Sequence, residues 1–464
     1  MFNKTLTASV ALLLAGSASV VLAQSAPGVS MQEAITTAVN TNPEVAQAQY
    51  NKEAIQFERK QAQGLYLPRV DVEASAGVRR LENATRRSLG IANQELYPLD
   101  AEARAEWTLI DFGSRHGELL RQAARVDGAS LRVLERSEYI GLQVARQYLD
   151  VLLQQRIVAA SADNVSFHQL LAKDLATGVS QGSISIADQQ QAEERLQAAM
   201  VRQSEAEQAL AEAKIKLGRL TGLAVDQVAM PPTLESELPG SVDDAVGLVR
   251  TNNPLVKEAA ADVDAANAQA SSVRADGYPR IGVDATAREG KDIDGFRGET
   301  TDLQGRVFLR WNIFNGGISR ANYQEMVRRA SEARYKLYQI TREAEEDVRV
   351  AWSTLNTQQR ISDQLARESQ VSDDLLLSYR SQFNVGRRSL LDVLDAQNTR
   401  YNVQTRLETA RFSAVFARYQ ILASTNRFIS GLNVSPGAGA GENERDRFHY
   451  GPPAPAETQY RTTP

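Results

Sequence analysis

The 464-residue sequence contains no cysteine and only three histidines, which lie far apart at His116, His168 and His449. Zinc and iron–sulfur sites need several cysteine or histidine ligands at short spacing, so this composition argues against a metal site of that kind. The absence of cysteine also excludes an amino-terminal lipid anchor, which is attached to a cysteine.

Aromatic residues make up only 6% of the chain, while alanine and glutamine are abundant. This composition argues against thick globular cores and favours long helices that pack through small residues. The formal net charge of -5 is mild and spread along the chain. No basic face is therefore available for nucleic acid.

Long apolar runs are missing as well, since no segment has 18 uninterrupted apolar residues. We therefore predict no membrane-spanning helix, so that any insertion would use strands. The first residues combine a positive start, an apolar stretch and a small-residue cleavage site before Gln24, which predicts a secretory signal peptide at residues 1–23. A retained membrane anchor is the alternative, although the apolar stretch is shorter than the roughly 20 residues of a spanning helix.

The rest of the chain contains two copies of one unit. The segments "NPEV" and "NPLV" lie 211 residues apart, whereas "WTLIDFG" and "WNIFNGG" lie 204 apart. The first copy therefore has seven extra residues between residues 70 and 107. Because an internal repeat defines the architecture, we divide the chain into repeat 1 (24–240), repeat 2 (241–430) and a flexible C-terminal tail (431–464).

Each copy contains a predicted β-hairpin, at about 66–110 and 278–314. Val70, Val72 and Ala74 alternate with charged residues, and the same period of two continues in the other strands. Strands of about 10 residues cross a bilayer when tilted, although a surface hairpin of a soluble domain is the alternative. Aromatic residues lie towards the strand ends, as in a membrane-interface belt: Tyr66, Tyr97, Trp107, Tyr278 and Trp311.

A very long helix follows each hairpin. No proline occurs from residue 99 to 230 or from 280 to 435. The first such helix would be roughly 95 Å long at ~1.5 Å per residue, so its apolar stripe must pack on neighbouring helices in coiled-coil fashion. We predict long helices at 114–177 and 318–382, turns at 178–185 and 383–388, and return helices at 185–221 and 389–427.

Acidic residues follow both turns. Asp188 and Asp392 each end an S-x-x-D pair before an apolar run, which predicts a helix cap and needs no other role for them. Asp395 is different, because Gln191 occupies its position in copy one. Around a common symmetry axis such carboxylates would form rings that attract cations. A solvated surface acid is the alternative for Asp395.

This order of elements resembles the TolC-like outer-membrane factors over roughly residues 30–430. The resemblance implies a mainly α fold with transmembrane β: a homotrimer in which twelve strands close an outer-membrane barrel above a periplasmic α-barrel tunnel. From the residues alone, four strands are too few for a barrel, whose minimum is about eight, and both two and three chains remain open. The resemblance places Asp392 and Asp395 in the ring of the pore constriction.

The resemblance also assigns a gate latch at the turns. Arg388 matches a gate arginine, and Asp188 matches the acid that joins this arginine and a tyrosine. Phe383 stands at the position of that tyrosine, so one gate hydrogen bond is missing, and the extra Arg387 is a candidate for compensation. The resemblance further implies that the adaptor docks on the turn residues, which are Gly182, Ser183, Gly386 and Ser389.

We therefore expect a passive export duct in the outer membrane with a large periplasmic part. Its partners would be outer-membrane lipid, a periplasmic adaptor (membrane fusion protein) and an inner-membrane transporter, with the ABC type favoured over the RND type. Type I protein secretion is the favoured task, with multidrug efflux and a periplasmic coiled-coil adaptor or structural protein as alternatives. We expect no cofactor, nucleic acid or enzymatic activity, because no nucleophile, base and ligand set is clustered in the sequence.

Overall fold

The computed structural model describes residues 28–441 and 443–447, so the predicted signal peptide lies outside the described residues. Each copy has the same order of elements: two helices, a hairpin, a long helix and a return helix. Copy one contains α1 (Met31–Thr41), α2 (Pro43–Gly64), β1 (Arg69–Ala76), α3 (Ala84–Ser88), β2 (Leu99–Ile110), α4 (Ser114–Ser180) and α5 (Ile186–Thr221). Copy two contains α6 (Val242–Asn252), α7 (Pro254–Ala275), β3 (Arg280–Lys291), β4 (Glu299–Arg310), α8 (Ile318–Asn384) and α9 (Leu390–Ser424), followed by α10 (Phe428–Gly431).

The repeated Asn-Pro pairs separate the first two helices of each copy. Asn42 caps α2 by accepting the backbone N–H of Glu44 at 2.8 Å, and Asn253 caps α7 in the same way. The following proline occupies the first helical turn, where its missing N–H costs no hydrogen bond. The same Asn-Pro dipeptide therefore starts the second helix of each copy.

The four strands form one antiparallel sheet in the order β1-β2-β3-β4. The two hairpins join through β2 and β3, with Ala103 opposite Ala287 and Ala105 opposite Ala285. Strands β1 and β4 are the free edges. The longer loop of copy one connects β1 to β2 and contains α3, which the sequence analysis did not predict.

The apolar face of the sheet is uncovered. Leu303 and Val307 are 82% and 74% exposed, and Val72 is 76% exposed. The opposite face carries charged pairs, for example Arg306 with Asp284 at 2.8 Å. The hairpin of a soluble domain turns its apolar face towards a core, so this arrangement does not fit the soluble alternative.

The helical part is held together by long seams of small residues. Four alanines of α5, each seven positions after the last, are buried at Ala192, Ala199, Ala206 and Ala213, which is a coiled-coil seam. The main core lies near the middle of α4, where Tyr148 and Tyr419 are fully buried with α1 and α10. The mainly helical, duplicated fold class predicted from the sequence is confirmed. Within the part of the chain described, no helix meets the length and hydropathy needed to span a membrane.

The prediction of a flexible tail from residue 431 is wrong for its first part. Leu432 and Val434 belong to the main core, and the backbone N–H of Gly437 donates to Ser137 of α4 at 3.0 Å. Further on, Arg445 pairs with Asp127 of α4 at 2.9 Å and with Asp264 of α7 at 2.8 Å. Composition rich in glycine suggested flexibility, but these ion pairs fix the segment against two helices. Residues 448–464 lie outside the described residues.

Candidate functional site

The two turns that connect the long helices have matching backbones. Gly182 and Gly386 adopt left-handed φ angles of 72° and 69°. The next residue donates its N–H to a carbonyl five positions back, from Ser183 to Gly178 and from Arg387 to Gln382, each at 2.9 Å. This is the Schellman ending of a helix. A Cβ atom at either glycine would meet nothing within 4 Å, so the backbone angle alone requires glycine.

Both return helices then begin with the predicted cap. Ser185 accepts the backbone N–H of Asp188 at 3.0 Å, and Ser389 accepts that of Asp392 at 3.2 Å. In the second turn Asp392 also accepts the backbone N–H of Ser389, which completes a capping box. The predicted capping box is therefore confirmed for Asp392, whereas the carboxylate of Asp188 accepts the hydroxyl of Ser185 at 2.7 Å in place of a backbone N–H.

Arg388 interacts with its own turn. Its guanidinium lies 3.8 Å from the carboxylate of Asp392 and 4.0 Å from the ring centre of Tyr379. It also donates a hydrogen bond to the side chain of Gln382 at 3.2 Å. The expected pair with Asp188 does not form among the residues of the described chain, where Asp188 bonds to Ser185 instead. The latch between Asp188 and Arg388 stays a prediction, because it would form between turns of the assembled gate.

Phe383 packs where a tyrosine was expected. It is half-buried against Leu390 and Leu394, where α4, α5 and α9 meet. Tyr379, one helical turn earlier on the same face, also packs beside Phe383 and supplies the ring under Arg388. Sequence reasoning missed Tyr379, although its spacing of four residues from Phe383 was a usable signal.

Asp395 is exposed on α9, about one turn beyond the capping Asp392, and no ion pair among the described residues includes it. Arg387 is exposed as well. The turn region thus presents free charge of both signs at the end of the helical pairs. No group of three acidic or histidine side chains in the described ranges could hold a metal ion.

The aromatic residues named from the sequence lie at the two ends of the sheet. At the end next to the long helices, the indole N–H of Trp107 donates to Tyr66 at 2.9 Å and that of Trp311 donates to Gly277 at 3.2 Å. Tyr278 lies at the same end, beside Phe112. Tyr97 lies at the other end, where its N–H donates to Asp292.

A junction between sheet and helix was missed by sequence reasoning. Arg115, in the first turn of α4, binds Asp111 at 2.7 Å and donates to the carbonyl of Thr108 at 2.8 Å. Its guanidinium also lies 4.7 Å from the ring centre of Tyr66. One side chain therefore fixes the direction in which the long helix leaves the sheet.

Comparison with known proteins gives consistent matches. The family described as outer membrane efflux protein matches residues 34–223 and 245–427. The outer membrane efflux protein BepC of Brucella suis is 25% identical over 300 residues, which are 63% of this chain and 65% of BepC, so the match spans less than two thirds of that relative.

Solved structures share the fold. A membrane protein from Pseudomonas aeruginosa is 17% identical with a TM-score of 0.76, covering 89% of this chain and 92% of its own. The CmeC outer membrane channel of Campylobacter jejuni is 13% identical with a TM-score of 0.74, covering 86% of each chain.

Proposed function

The chain belongs to the outer membrane efflux protein family, and we propose that it is the outer-membrane channel of a tripartite export system. In this role it conducts substrate and performs no chemistry. Energy would come from its partners, a periplasmic adaptor and an inner-membrane transporter.

The observation that carries this proposal is the two-sided sheet. Its exposed apolar face, which includes Leu303 and Val307, suits lipid, while its other face carries ion pairs that suit water. The free edges β1 and β4 leave backbone groups that a bilayer cannot satisfy. Pairing of β4 with β1 of a neighbouring subunit removes both edges, and three subunits supply twelve strands.

The long helices would continue the channel into the periplasm, and the turns would close its far end. Asp392 and Asp395 would then contribute rings of negative charge to the constriction. Asp188, Arg387 and Arg388 would hold neighbouring turns together, with Phe383 packing behind them. Exposed ion pairs contribute only about 0 to 1 kcal/mol each, so binding of an adaptor at Gly182, Ser183, Gly386 and Ser389 could separate them.

For the task of this channel we propose type I protein secretion with an ABC-type transporter. The support is that many drug-efflux members of the resembling family carry an amino-terminal lipid on a cysteine, whereas this sequence contains no cysteine. Small-molecule efflux is the second candidate, because BepC is described as an efflux protein. Deletion of the gene separates them: loss of a secreted protein supports the first, and increased sensitivity to toxic compounds with normal secretion supports the second.

The gate assignment is tested by recording the purified oligomer in planar lipid bilayers. Asp188→Ala with Arg388→Ala removes charges from both turns and should raise the single-channel conductance. Glu408→Ala with Arg411→Ala removes an ion pair of 2.7 Å within α9 and should leave it unchanged. Equal conductance of the gate variant and the parent chain would remove the gate assignment, and absence of channels in all of them would overturn the channel function.

A further inference from the structure

A line of polar contacts joins the two copies well above the turns. Ser161 and Tyr401 share a hydrogen bond of 3.0 Å, Arg400 donates to Asp163 at 2.8 Å, and Gln397 donates to Asn164 at 2.8 Å. Ser161, Asp163 and Asn164 lie on α4, and their three partners lie on α9. We call these residues the polar seam: Ser161, Asp163, Asn164, Gln397, Arg400 and Tyr401.

The seam has a buried part, where helices usually pack apolar side chains, and an exposed end at Asp163. Asn164 is 2% exposed and Gln397 is fully buried. The amide oxygen of Gln397 has no hydrogen-bond partner in the described chain, so this amide depends on the bond that its nitrogen donates to Asn164. Separating them without water would leave both amides unsatisfied, which is strongly unfavourable. The contact is therefore suited to two states, closed and dry or open and hydrated.

Arg400 contacts both internal repeats. Besides Asp163 of α4, it binds Asp373 of α8 at 2.5 Å. The contact with Asp373 stays within copy two, whereas the contact with Asp163 crosses to copy one. If α8 and α9 move together, Arg400 keeps Asp373 and releases Asp163. The arrangement thus strengthens one helical pair while leaving the boundary between pairs separable.

Apolar packing separates the seam from the turns. Leu171 and Leu175 of α4 contact Leu390 and Leu394 of α9 in this interval. Asn164 precedes Gly182 by 18 residues, which is about 27 Å along a helix. A second contact, from Arg202 of α5 to Asn398 at 3.0 Å, borders the seam on the other side. Loosening the turns therefore does not in itself break the seam.

We propose that the polar seam is a second latch, which limits how far the helices part when the turns open. The inference rests on the proposed channel function and goes beyond the charges at the turns. Its residues are positioning residues: they set the width of the open passage and do not themselves bind substrate. A seam that served only for folding would stay closed in both states of the channel.

The decisive experiment closes the seam covalently in a channel whose turns are loosened. Because the chain has no cysteine, Asn164→Cys with Gln397→Cys introduces the only thiols, which a short reducible crosslinker can join. In the background of Asp188→Ala with Arg388→Ala, crosslinking should return the conductance towards that of the parent chain, and reduction should reverse the effect. Unchanged conductance, with the crosslink verified by mass spectrometry, overturns the proposal.

A matched pair of variants tests the seam by weakening it. Arg400→Gln removes its charged contacts with Asp163 and Asp373. With the turns loosened, it should raise the open probability by about five-fold, the effect of the one ion pair that joins the two repeats. Arg411→Gln, on the same helix but paired with Glu408 of that helix, should have no effect. Equal effects of the two variants would overturn the proposal.

The outcomes separate this inference from the channel function. If loosening the turns changes nothing, the gate assignment fails, and the seam becomes the remaining closure. Arg400→Gln alone must then raise the conductance while Arg411→Gln does not. If no variant forms channels, the proposed function fails and the seam proposal falls with it.

Discussion

At the residue scale, buried ionisable side chains make the stability of the helical part depend on pH. Glu138 lies in the middle of α4, 4% exposed, and within the described part of the chain accepts only the N–H of Ile429 at 3.4 Å. Burial raises the pKa of its carboxyl from 4.5 to about 8, and the hydrogen bond from Ile429 only partly opposes this. His168 responds in the opposite direction, because burial and the nearby Arg202 and Arg195 lower its pKa to about 4. Both side chains are therefore held neutral at neutral pH.

We expect Glu138→Gln to stabilise the protein above neutral pH. The folded-state pKa of Glu138 lies above its unfolded value of 4.5, so the folded chain binds more protons and its stability falls as the pH rises from 4.5 towards 8. The amide keeps an acceptor for Ile429 and removes this penalty, which is at most about 5 kcal/mol. Thermal unfolding in detergent should show a higher Tm for the variant at pH 8 and nearly equal values at pH 4.5.

Glu118→Gln is the control on the same helix. Glu118 binds Arg121 at 2.7 Å, so its neutral variant loses an ion pair and should lower the Tm at pH 8. A stabilising effect of Glu118→Gln, or none of Glu138→Gln at pH 8, would contradict the account of Glu138.

At the scale of elements, sequence periodicity identified the strands and helices but not all their partners. The period of two located the hairpins, and the proline-free stretches located the long helices. The seven-residue spacing of the buried alanines in α5 was not predicted. It could not show that α4 contacts α9 through Asn164 and Gln397, since a helical stripe specifies a face and not its neighbour. The segment around Arg445 escaped for the same reason: its fixed position depends on acids of α4 and α7 that are distant in sequence.

The two faces of β4 give a prediction at this scale. Leu303 and Gln304 are neighbours, but Leu303 lies on the apolar face opposite Ala287 and Gln304 lies on the charged face opposite Thr286. Leu303→Arg should place a charge in lipid, which costs about 2 to 4 kcal/mol near the middle of a bilayer. We expect it to reduce the heat-resistant oligomer in the outer-membrane fraction, whereas Gln304→Arg should assemble normally. Equal assembly of both variants would contradict a lipid-facing sheet.

At the scale of the whole molecule, one chain would supply only part of the proposed channel. The sheet has two free edges and the turns carry the exposed charges Arg387 and Asp395, so the proposed channel would close only with further subunits. The number of strands in the sequence indicated that several subunits are needed, while the expected number of subunits came from the resemblance to a family. The two turns also differ in one respect that matters only in an assembly: Asp395 in copy two corresponds to Gln191 in copy one.

That difference predicts how the channel selects ions. If Asp395 faces the axis, each subunit of the oligomer contributes one exposed carboxylate to a ring, and the ring favours cations. Asp395→Asn should remove this charge and lower the cation preference, measured as the reversal potential across a salt gradient. Gln191→Asp adds a charge at the matching position of copy one and should raise the preference instead. Because the two variants change charge in opposite directions at equivalent positions, reversal potentials that do not move apart would place Asp395 on a solvated outer surface.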